Sequence, residues 1–274
     1  MLGYKVKCVD TIEISENQKF DGVDYINKDV FKLTNENFVD VDYIFHLAFI
    51  TNIPNSISNP QDTTYGNIDM TVDILKKASK FKIKKFVFPS TASLYGKNPI
   101  PWSENMSPSP IEPYSWQKLS CEYLCKMWSN TYGVPSTILR LFQVFGENPR
   151  SDSALYKFIN AKKSGQPITL TETTAQSTFR TARRDFIYVK DVAKAFIATI
   201  ESTKTGGGEV LNIGSGQTTT MEEIANAIGG EVKFIPRRSF EVEAHLADLT
   251  KTESLIDWKY SVNVLDWLQR YSIR

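Results

Sequence analysis

Residues 85–118 read KFVFPSTASLYGKNPIPWSENMSPSPIEPYSWQK, and the rest of the chain can be arranged around them. The apolar run Phe86-Val-Phe88 is typical of a buried strand, and the hydroxyl residues Ser90, Thr91 and Ser93 follow it directly. Because open α/β sheets bind ligands beyond the carboxyl ends of their strands, these hydroxyls predict a site at that edge.

A helix is predicted after this strand. Pro113 suits a first helical turn, apolar residues then recur at helical spacing, and Gly133 ends the pattern. Tyr114 and Lys118 are four residues apart and therefore share one face of this helix. An unperturbed tyrosine titrates near pH ~10, and an adjacent ammonium would favour its ionised form. The pair could thus supply a general base, although an ordinary helix surface shows such pairs too.

The bulk composition sets limits on the function. A chain of 274 residues with 41% hydrophobic content can bury a large core in one or two compact domains. The formal net charge of +1 gives no electrostatic reason to expect a nucleic-acid partner. No apolar run approaches the ~18 residues of a membrane helix, so we expect no membrane association.

Cysteine and histidine are scarce. An odd count of three cysteines, Cys8, Cys121 and Cys125, favours reduced thiols and a cytoplasmic location. The two histidines, His46 and His245, do not lie in clusters with metal-ligand spacing, so no metal site is predicted.

Three further strings carry a resemblance: FPSTASLYG at 88–96, RRDFIYVKDVAKA at 183–195 and LNIGSG at 211–216. Together with Tyr114-x-x-x-Lys118, they make nearly the whole chain resemble the extended short-chain dehydrogenase/reductases, specifically the NAD-dependent nucleotide-sugar epimerase/dehydratase family that includes UDP-glucose 4-epimerases. The resemblance implies an α/β fold, with a Rossmann-like doubly wound parallel sheet and a smaller discontinuous α+β substrate lobe. We expect residues 1–142 and 183–204 in the NAD-binding domain, and 143–182 and 205–274 in the substrate lobe.

The resemblance also implies a reaction. Tyr114 would take a proton from a sugar hydroxyl while hydride passes to NAD, and the hydride would then return to the keto sugar. Lys118 would hold the nicotinamide ribose and lower the tyrosine pKa, and Thr91 would hydrogen-bond the reacting oxygen. Family dehydratases carry an Asp-Glu pair after this threonine, whereas this chain has Ala92-Ser93, which favours epimerisation of a nucleotide-diphosphate sugar.

Cofactor and substrate contacts follow from the same resemblance. The alternating strand Lys5–Asp10 ends in a carboxylate that would hold the adenosine ribose of NAD, unless Asp10 is only a strand-end turn residue. The other implied cofactor contacts are Asp29, Val30, Leu47 and Ala48. The implied substrate contacts are Gln143, where the family usually has Asn, and Arg184 and Arg238. Arg237 and Arg238 could instead be a solvated surface pair. A homodimer through the helices of Asn67 and Tyr114 is also implied.

One expected feature has no counterpart in the sequence. Gly3 and Gly22 are the only glycines in the first sixty residues, so no glycine-rich strand-turn-helix unit is predicted there. We expect the first strand and helix of the sheet to be missing, because of a fragment or misplaced start rather than a natural truncation, and NAD binding to be weak. The alternatives are an inactive remnant, or a dehydratase, decarboxylase or reductase of the same family.

Overall fold

The computed structural model describes residues 3–174, 176–236 and 242–271. Its strands are β1 (Val6–Asp10), β2 (Val23–Asn27), β3 (Tyr43–Phe45), β4 (Lys85–Thr91), β5 (Ser136–Leu141), β6 (Gln143–Phe145), β7 (Ile168–Thr171), β8 (Arg183–Arg184), β9 (Phe186–Tyr188), β10 (Gly207–Ile213), β11 (Thr219–Thr220) and β12 (Val232–Ile235). Its helices are α1 (Ile53–Ser58), α2 (Pro60–Ala78), α3 (Pro113–Tyr132), α4 (Ala154–Lys163), α5 (Val189–Glu201), α6 (Met221–Ile228), α7 (Thr250–Leu255) and α8 (Val264–Tyr271).

The main sheet has four parallel strands in the order β10-β5-β4-β3, and β1 and β2 form a separate parallel pair. Within the described ranges no strand joins β1 to β3, so each has one unpaired edge. Two-residue to four-residue strands make the pairs β6-β9, β7-β12 and β8-β11. The predicted α/β class with a parallel sheet is confirmed.

Helices cover both faces of the main sheet, and β4 and β5 accordingly carry apolar residues at successive positions. Phe86, Phe88 and Ile138 pack into a core shared with α2 and α3. Val87 and Leu139, on the opposite face, pack into a second core shared with α5. All seven residues of β4 are buried, which is typical of a parallel strand between two helical layers.

A third hydrophobic core joins short strands and helices outside the main sheet. Phe145, Phe158, Ile168, Ile224 and Trp267 bring together β6, α4, β7, α6 and α8.

One expected lobe boundary differs from the structure. The sequence placed 205–274 with the smaller lobe, but β10 pairs with β5 in the main sheet. Val210 packs into the α2–α3 core and Leu211 into the α5 core, so this strand is buried on both faces like its neighbour β5.

Helix termini follow the sequence signals at two of three positions. Gly133 ends α3 with a left-handed φ of 67°, and the Thr220-x-x-Glu223 pattern forms a capping box at the start of α6. The same pattern at Thr250 and Glu253 forms no capping box, because Thr250 is already inside α7 and Leu249 is its N-cap.

None of the described helices combines the length and the apolar character needed to cross a membrane.

Candidate active site at the carboxyl end of β4

Thr91 is the last residue of β4, where the chain turns into a short 3-10 helix at Ala92–Tyr95. The Thr91 Oγ1 accepts the Ser93 N–H at 3.1 Å and lies 3.1 Å from the Ser93 Oγ. A side-chain hydrogen bond also joins Thr91 to Tyr114. The fold therefore brings two predicted catalytic residues together at the predicted edge of the sheet.

Tyr114 lies in the first turn of α3, whose start is well fixed. The Glu112 Oε1 accepts the Ser115 N–H at 3.0 Å, and the Tyr114 N–H donates to the Ser56 Oγ at 3.2 Å. Burial raises the pKa of Tyr114 to about 12, and the charge of Glu112 adds to this rise. The Thr91 hydrogen bond and the charge of Arg150 act in the opposite direction. The expected lowering of this pKa is thus not found, and Tyr114 keeps its proton at neutral pH.

Lys118 lies one turn further along α3 and is 3% exposed. Its Nζ donates to the Pro89 carbonyl oxygen at 2.7 Å. The Nζ is also 3.6 Å from the centroid of the Phe49 ring and 4.6 Å from that of Phe88. Burial lowers the pKa of Lys118 to about 7, so the side chain exchanges its proton near neutrality.

A buried ion pair supports this end of β4. The Arg140 Nε and Nη2 donate to the two carboxylate oxygens of Glu122 at 2.9 and 2.8 Å. The Ser90 Oγ donates to the same carboxylate at 2.5 Å, and the Arg140 guanidinium lies 4.8 Å from the centroid of the Tyr95 ring. Glu122 is four residues after Lys118, so the network ties α3 to the strand that carries Thr91.

Asp10 ends β1 and lines a cavity of about 120 Å³ together with Cys8 and Tyr25. One carboxylate oxygen of Asp10 accepts the Ile12 N–H at 2.9 Å, which leaves the other oxygen for a ligand hydroxyl.

Of the other predicted cofactor contacts, Leu47 and Ala48 lie just after β3, and Asp29 and Val30 lie just after β2. Leu47 is 64% exposed and Ala48 is half-buried. Asp29 caps a 3-10 turn by accepting the Phe31 N–H at 2.9 Å, and Val30 packs against the α2–α3 core.

These groups suit part of an NAD molecule. A carboxylate at Asp10 and an amine at Lys118 match the hydroxyls of its two ribose rings. For the pyrophosphate, the described residues from 3 to 60 contain no glycine-rich turn that leads from a strand into a helix.

Of the predicted substrate contacts, Gln143 begins β6 and its N–H donates to the Asp185 carbonyl oxygen at 3.0 Å. The half-buried Arg184 donates from Nη1 to the carbonyl oxygens of Arg183 and Glu243, at 2.9 and 3.1 Å. Arg238 lies outside the described residues.

Asp185 is a contact that the sequence did not single out. Its fully buried carboxylate accepts the N–H groups of Ser215, Gly216 and Ala247, at 2.6, 3.0 and 3.0 Å. A Cβ at Gly214 would lie 2.9 Å from this carboxylate, so the glycine permits the close approach. Asp185, which directly follows Arg184, therefore joins the LNIGSG string to the segment that contains Ala247.

Phe49 and Arg150 are also residues of the site that the sequence did not identify. The Arg150 Nη1 donates to the Thr51 Oγ1 at 2.8 Å, and its other nitrogens bind Asp152 at 3.0 and 2.5 Å. In the sequence, Arg150 lies in a Pro- and Ser-rich loop, and Phe49 simply continues an apolar strand end, so neither residue carries a local signal.

Comparisons with known proteins show the family of this chain. The profile of the NAD dependent epimerase/dehydratase family matches residues 2–214. The UDP-glucuronate 4-epimerase of Thermodesulfobacterium geofontis is 28% identical over 270 residues, covering 96% of this chain and 80% of the relative. An uncharacterized UDP-glucose epimerase of Bacillus subtilis is 31% identical over 235 residues, covering 83% and 72%.

Solved structures are also similar. The UDP-N-acetylglucosamine 4-epimerase of Methanobrevibacter ruminantium has a TM-score of 0.88 at 28% identity, covering 98% of this chain and 89% of that one. The UDP-glucuronic acid 4-epimerase of Bacillus cereus, solved with UDP-glucuronic acid and NAD, has a TM-score of 0.83 at 27% identity, covering 93% and 82%. The chain therefore belongs to the NAD dependent epimerase/dehydratase family.

Proposed function

We propose that this protein is an NAD-dependent nucleotide-sugar epimerase, which oxidises a sugar carbinol to a ketone and returns the hydride to the opposite face. The observation that carries the proposal is the meeting of Thr91, Tyr114 and Lys118 at the carboxyl end of β4. Similar proteins whose printed descriptions name UDP-sugar 4-epimerases support it.

In this mechanism Tyr114 moves the proton. Its hydroxyl is held by Thr91 and is desolvated, so the phenol is protonated until positive charge enters the site. When bound, NAD supplies the hydride acceptor and a positive ring. Beside that positive charge Tyr114 would lose its own proton to solvent, and the phenolate would then accept the proton of the sugar hydroxyl and later return it. Thr91 would orient the reacting oxygen.

Lys118 supports this proton transfer. A side chain with a pKa of about 7 can bind a ribose hydroxyl as an ammonium and can also exchange a proton with solvent. We propose that it holds the nicotinamide ribose, and that Asp10, Asp29, Val30, Leu47 and Ala48 contact the rest of NAD. Gln143, Arg184 and Arg238 are proposed to contact the nucleotide sugar.

The residues after Thr91 favour epimerisation over dehydration. Ala92 is buried, and the Ser93 hydroxyl lies beside Thr91, so neither residue offers an acid to protonate a leaving hydroxide. The ketone would therefore be reduced again.

The test is a panel of UDP-hexoses, UDP-uronic acids and UDP-N-acetylhexosamines, incubated with NAD and followed by NMR. We expect one or more of these sugars to equilibrate with its epimer, and we expect the Tyr114→Phe variant not to convert it. Accumulation of a 4-keto-6-deoxy sugar would contradict epimerisation, and failure to convert any member would contradict the proposed substrate class.

We infer that the protein is a homodimer through α2 and α3. Trp116, Tyr123 and Met127 recur at helical spacing on α3 and are 50%, 59% and 39% exposed, and Tyr65 on α2 is 60% exposed. Two such pairs of helices can form a four-helix contact. Light scattering should give a dimer for the parent and a monomer for Tyr123→Glu, whereas a monomeric parent would contradict this assembly.

We also propose a cytoplasmic location. Cys8, Cys121 and Cys125 are free thiols, as expected in a reducing compartment. Fractionation of the native cells, with the protein followed by an antibody, would contradict this location if the protein were found outside the cytoplasm.

A further inference from the structure

Phe49 covers the site lysine. Its ring centroid is 3.6 Å from the Lys118 Nζ, and the ring meets those of Tyr114 and Phe88 edge to face, with centroids 6.1 Å apart in each pair. Phe49 is only partly buried, whereas Lys118 is 3% exposed. The Phe49 ring therefore lies between solvent and the amine.

The backbone that carries Phe49 is held in place. Asn67 on α2 accepts the Ile50 N–H at 2.7 Å and donates to the Ile50 carbonyl oxygen at 3.1 Å. A Cβ at Gly66 would lie 3.0 Å from the Ile50 side chain, so α2 packs closely against this residue. With the N–H and the carbonyl group of Ile50 held directly after Phe49, rotation of the Phe49 side chain is the motion that can uncover Lys118.

The amine has unused hydrogen-bonding capacity. An ammonium carries three donors, and among the described residues only the Pro89 carbonyl oxygen accepts one of them. The centroids of the Phe49 and Phe88 rings lie 3.6 and 4.6 Å from the amine, and an aromatic face is a weaker partner than a hydroxyl oxygen. A ligand hydroxyl that approaches from the Phe49 side can bind the amine only after the ring has turned.

We propose that Phe49 is a lid on Lys118, and that rotation of its ring controls when a ligand hydroxyl reaches the amine. The inference rests on the proposed function, in which Lys118 binds a ribose. Phe49 is accordingly a positioning residue that acts through Lys118. Its sequence position next to Ala48 places the lid within the predicted cofactor-binding segment.

Trace acylation of the lysines by acetic anhydride, read by peptide mass spectrometry, tests the lid without cofactor or substrate. We expect Phe49→Ala to raise the acylation rate of Lys118 by about tenfold or more, because a covered group reacts only during local opening. Lys85 is the internal reference, since it is also buried but contacts residues of α5 and the following turn. General loosening of the fold would raise both rates, and a lid effect raises that of Lys118 alone.

One further variant separates the volume of the Phe49 ring from its cation–π attraction for the amine. Phe49→Leu keeps most of the volume and should leave Lys118 protected nearly as in the parent, and Phe49→Val replaces Phe49→Ala if the latter does not fold. Phe20→Ala removes a ring that is 77% exposed and should change neither rate. Equal Lys118 rates in the parent and in the small-residue variant, or equal rates in Phe49→Leu and that variant, would overturn the lid. Loss of the proposed function would instead appear as an absence of turnover with the acylation pattern unchanged.

Discussion

Two lysines are buried against β4, one near each end, and their surroundings differ. Lys85 begins the strand, and its Nζ donates to the carbonyl oxygens of Thr199 and Ser202 at 2.8 and 2.7 Å. It also donates to the Thr205 Oγ1 at 2.8 Å, so all three of its donors have an oxygen partner.

Lys118 faces the other end of β4 and has a single described oxygen partner, the Pro89 carbonyl. Its remaining surroundings are largely aromatic, and burial lowers its pKa to about 7. The difference teaches how to distinguish a structural lysine from a reactive one. At Lys85 the hydrogen bonds are complete and fix the end of α5, whereas at Lys118 the fold keeps a desolvated amine available for a ligand.

The largest effect on activity is expected at the end of β4 that Lys118 faces. Tyr114→Phe removes the transferable proton and should lower kcat by about 10³-fold, within the range typical of general acid–base catalysis, while nucleotide-sugar binding persists. The rate of epimer formation measured by NMR checks this, with Tyr132→Phe as a control because that tyrosine is 55% exposed at the end of the same helix. Activity within a few-fold of the parent would remove Tyr114 from the mechanism.

Loss of the buried ion pair of Arg140 and Glu122 should destabilise the fold more than loss of a more exposed ion pair. Glu122→Gln leaves the buried Arg140 guanidinium without a counter-charge and should lower the free energy of unfolding by about 3 kcal/mol. Asp73→Asn, which breaks the more exposed pair of Lys77 and Asp73, should cost less than about 1 kcal/mol. Urea unfolding of both variants checks the difference, and equal losses would mean that burial does not set the strength of these pairs.

The two lysines should respond oppositely to removal of the amine. Lys85→Met leaves the Ser202 carbonyl oxygen without its lysine donor, although the Thr199 carbonyl keeps the Thr205 hydroxyl, and should cost about 2 kcal/mol in the free energy of unfolding. Lys118→Met removes an amine that is costly to bury, so it should raise the free energy of unfolding by ~1–3 kcal/mol near pH ~6.

The sign for Lys118 follows from its pKa of about 7, compared with ~10.4 for an unfolded chain. Below pH ~7 the folded protein bears the full cost of a buried charge, and between ~7 and ~10.4 that cost is relieved as the folded state loses its proton. The gain from Lys118→Met should therefore shrink toward pH ~9 in thermal unfolding. A gain that grows with pH would contradict the lowered pKa.

The smallest expected effect is a shift of the pH–rate profile when the charges near Tyr114 are removed. Arg150 lowers the pKa of Tyr114 and Glu112 raises it, although burial has the larger influence. Arg150→Gln should thus raise the pKa of Tyr114 and move the acidic limb of the kcat/KM profile, where the tyrosine must lose its proton to act as a base, to higher pH, and Glu112→Gln should move that limb to lower pH. Shifts of the same sign in the two variants would show that these charges do not act on Tyr114.

The sequence was sufficient where the signal is local. The periodicity of α3 and the apolar run of β4 identified both elements, and the four-residue spacing identified Tyr114 and Lys118 as neighbours. The parallel sheet followed from the same strands.

The sequence did not predict the features of the site and of the helix ends that depend on tertiary packing. The pKa of Tyr114 depends on burial by segments distant in the chain, and the contact of Phe49 with Lys118 depends on how β3 meets α3. The capping pattern at Thr250 did not form, since the Thr250 N–H donates to the Asp248 carboxylate and α7 has no side-chain cap. Local propensity ranks such alternatives but does not choose between them.

The difference between the two lysines, and with it the location of the reactive site, can be measured directly by NMR titration of the protein labelled with ¹³C at the lysine Cε. We predict that one resonance titrates at a pH of about 7, is lost in Lys118→Met, and shifts when NAD and a UDP-sugar are added, whereas the Lys85 resonance is unaffected by these ligands. A Lys118 resonance that titrates near pH ~10.4, as in an unfolded chain, and does not respond to either ligand would contradict the account.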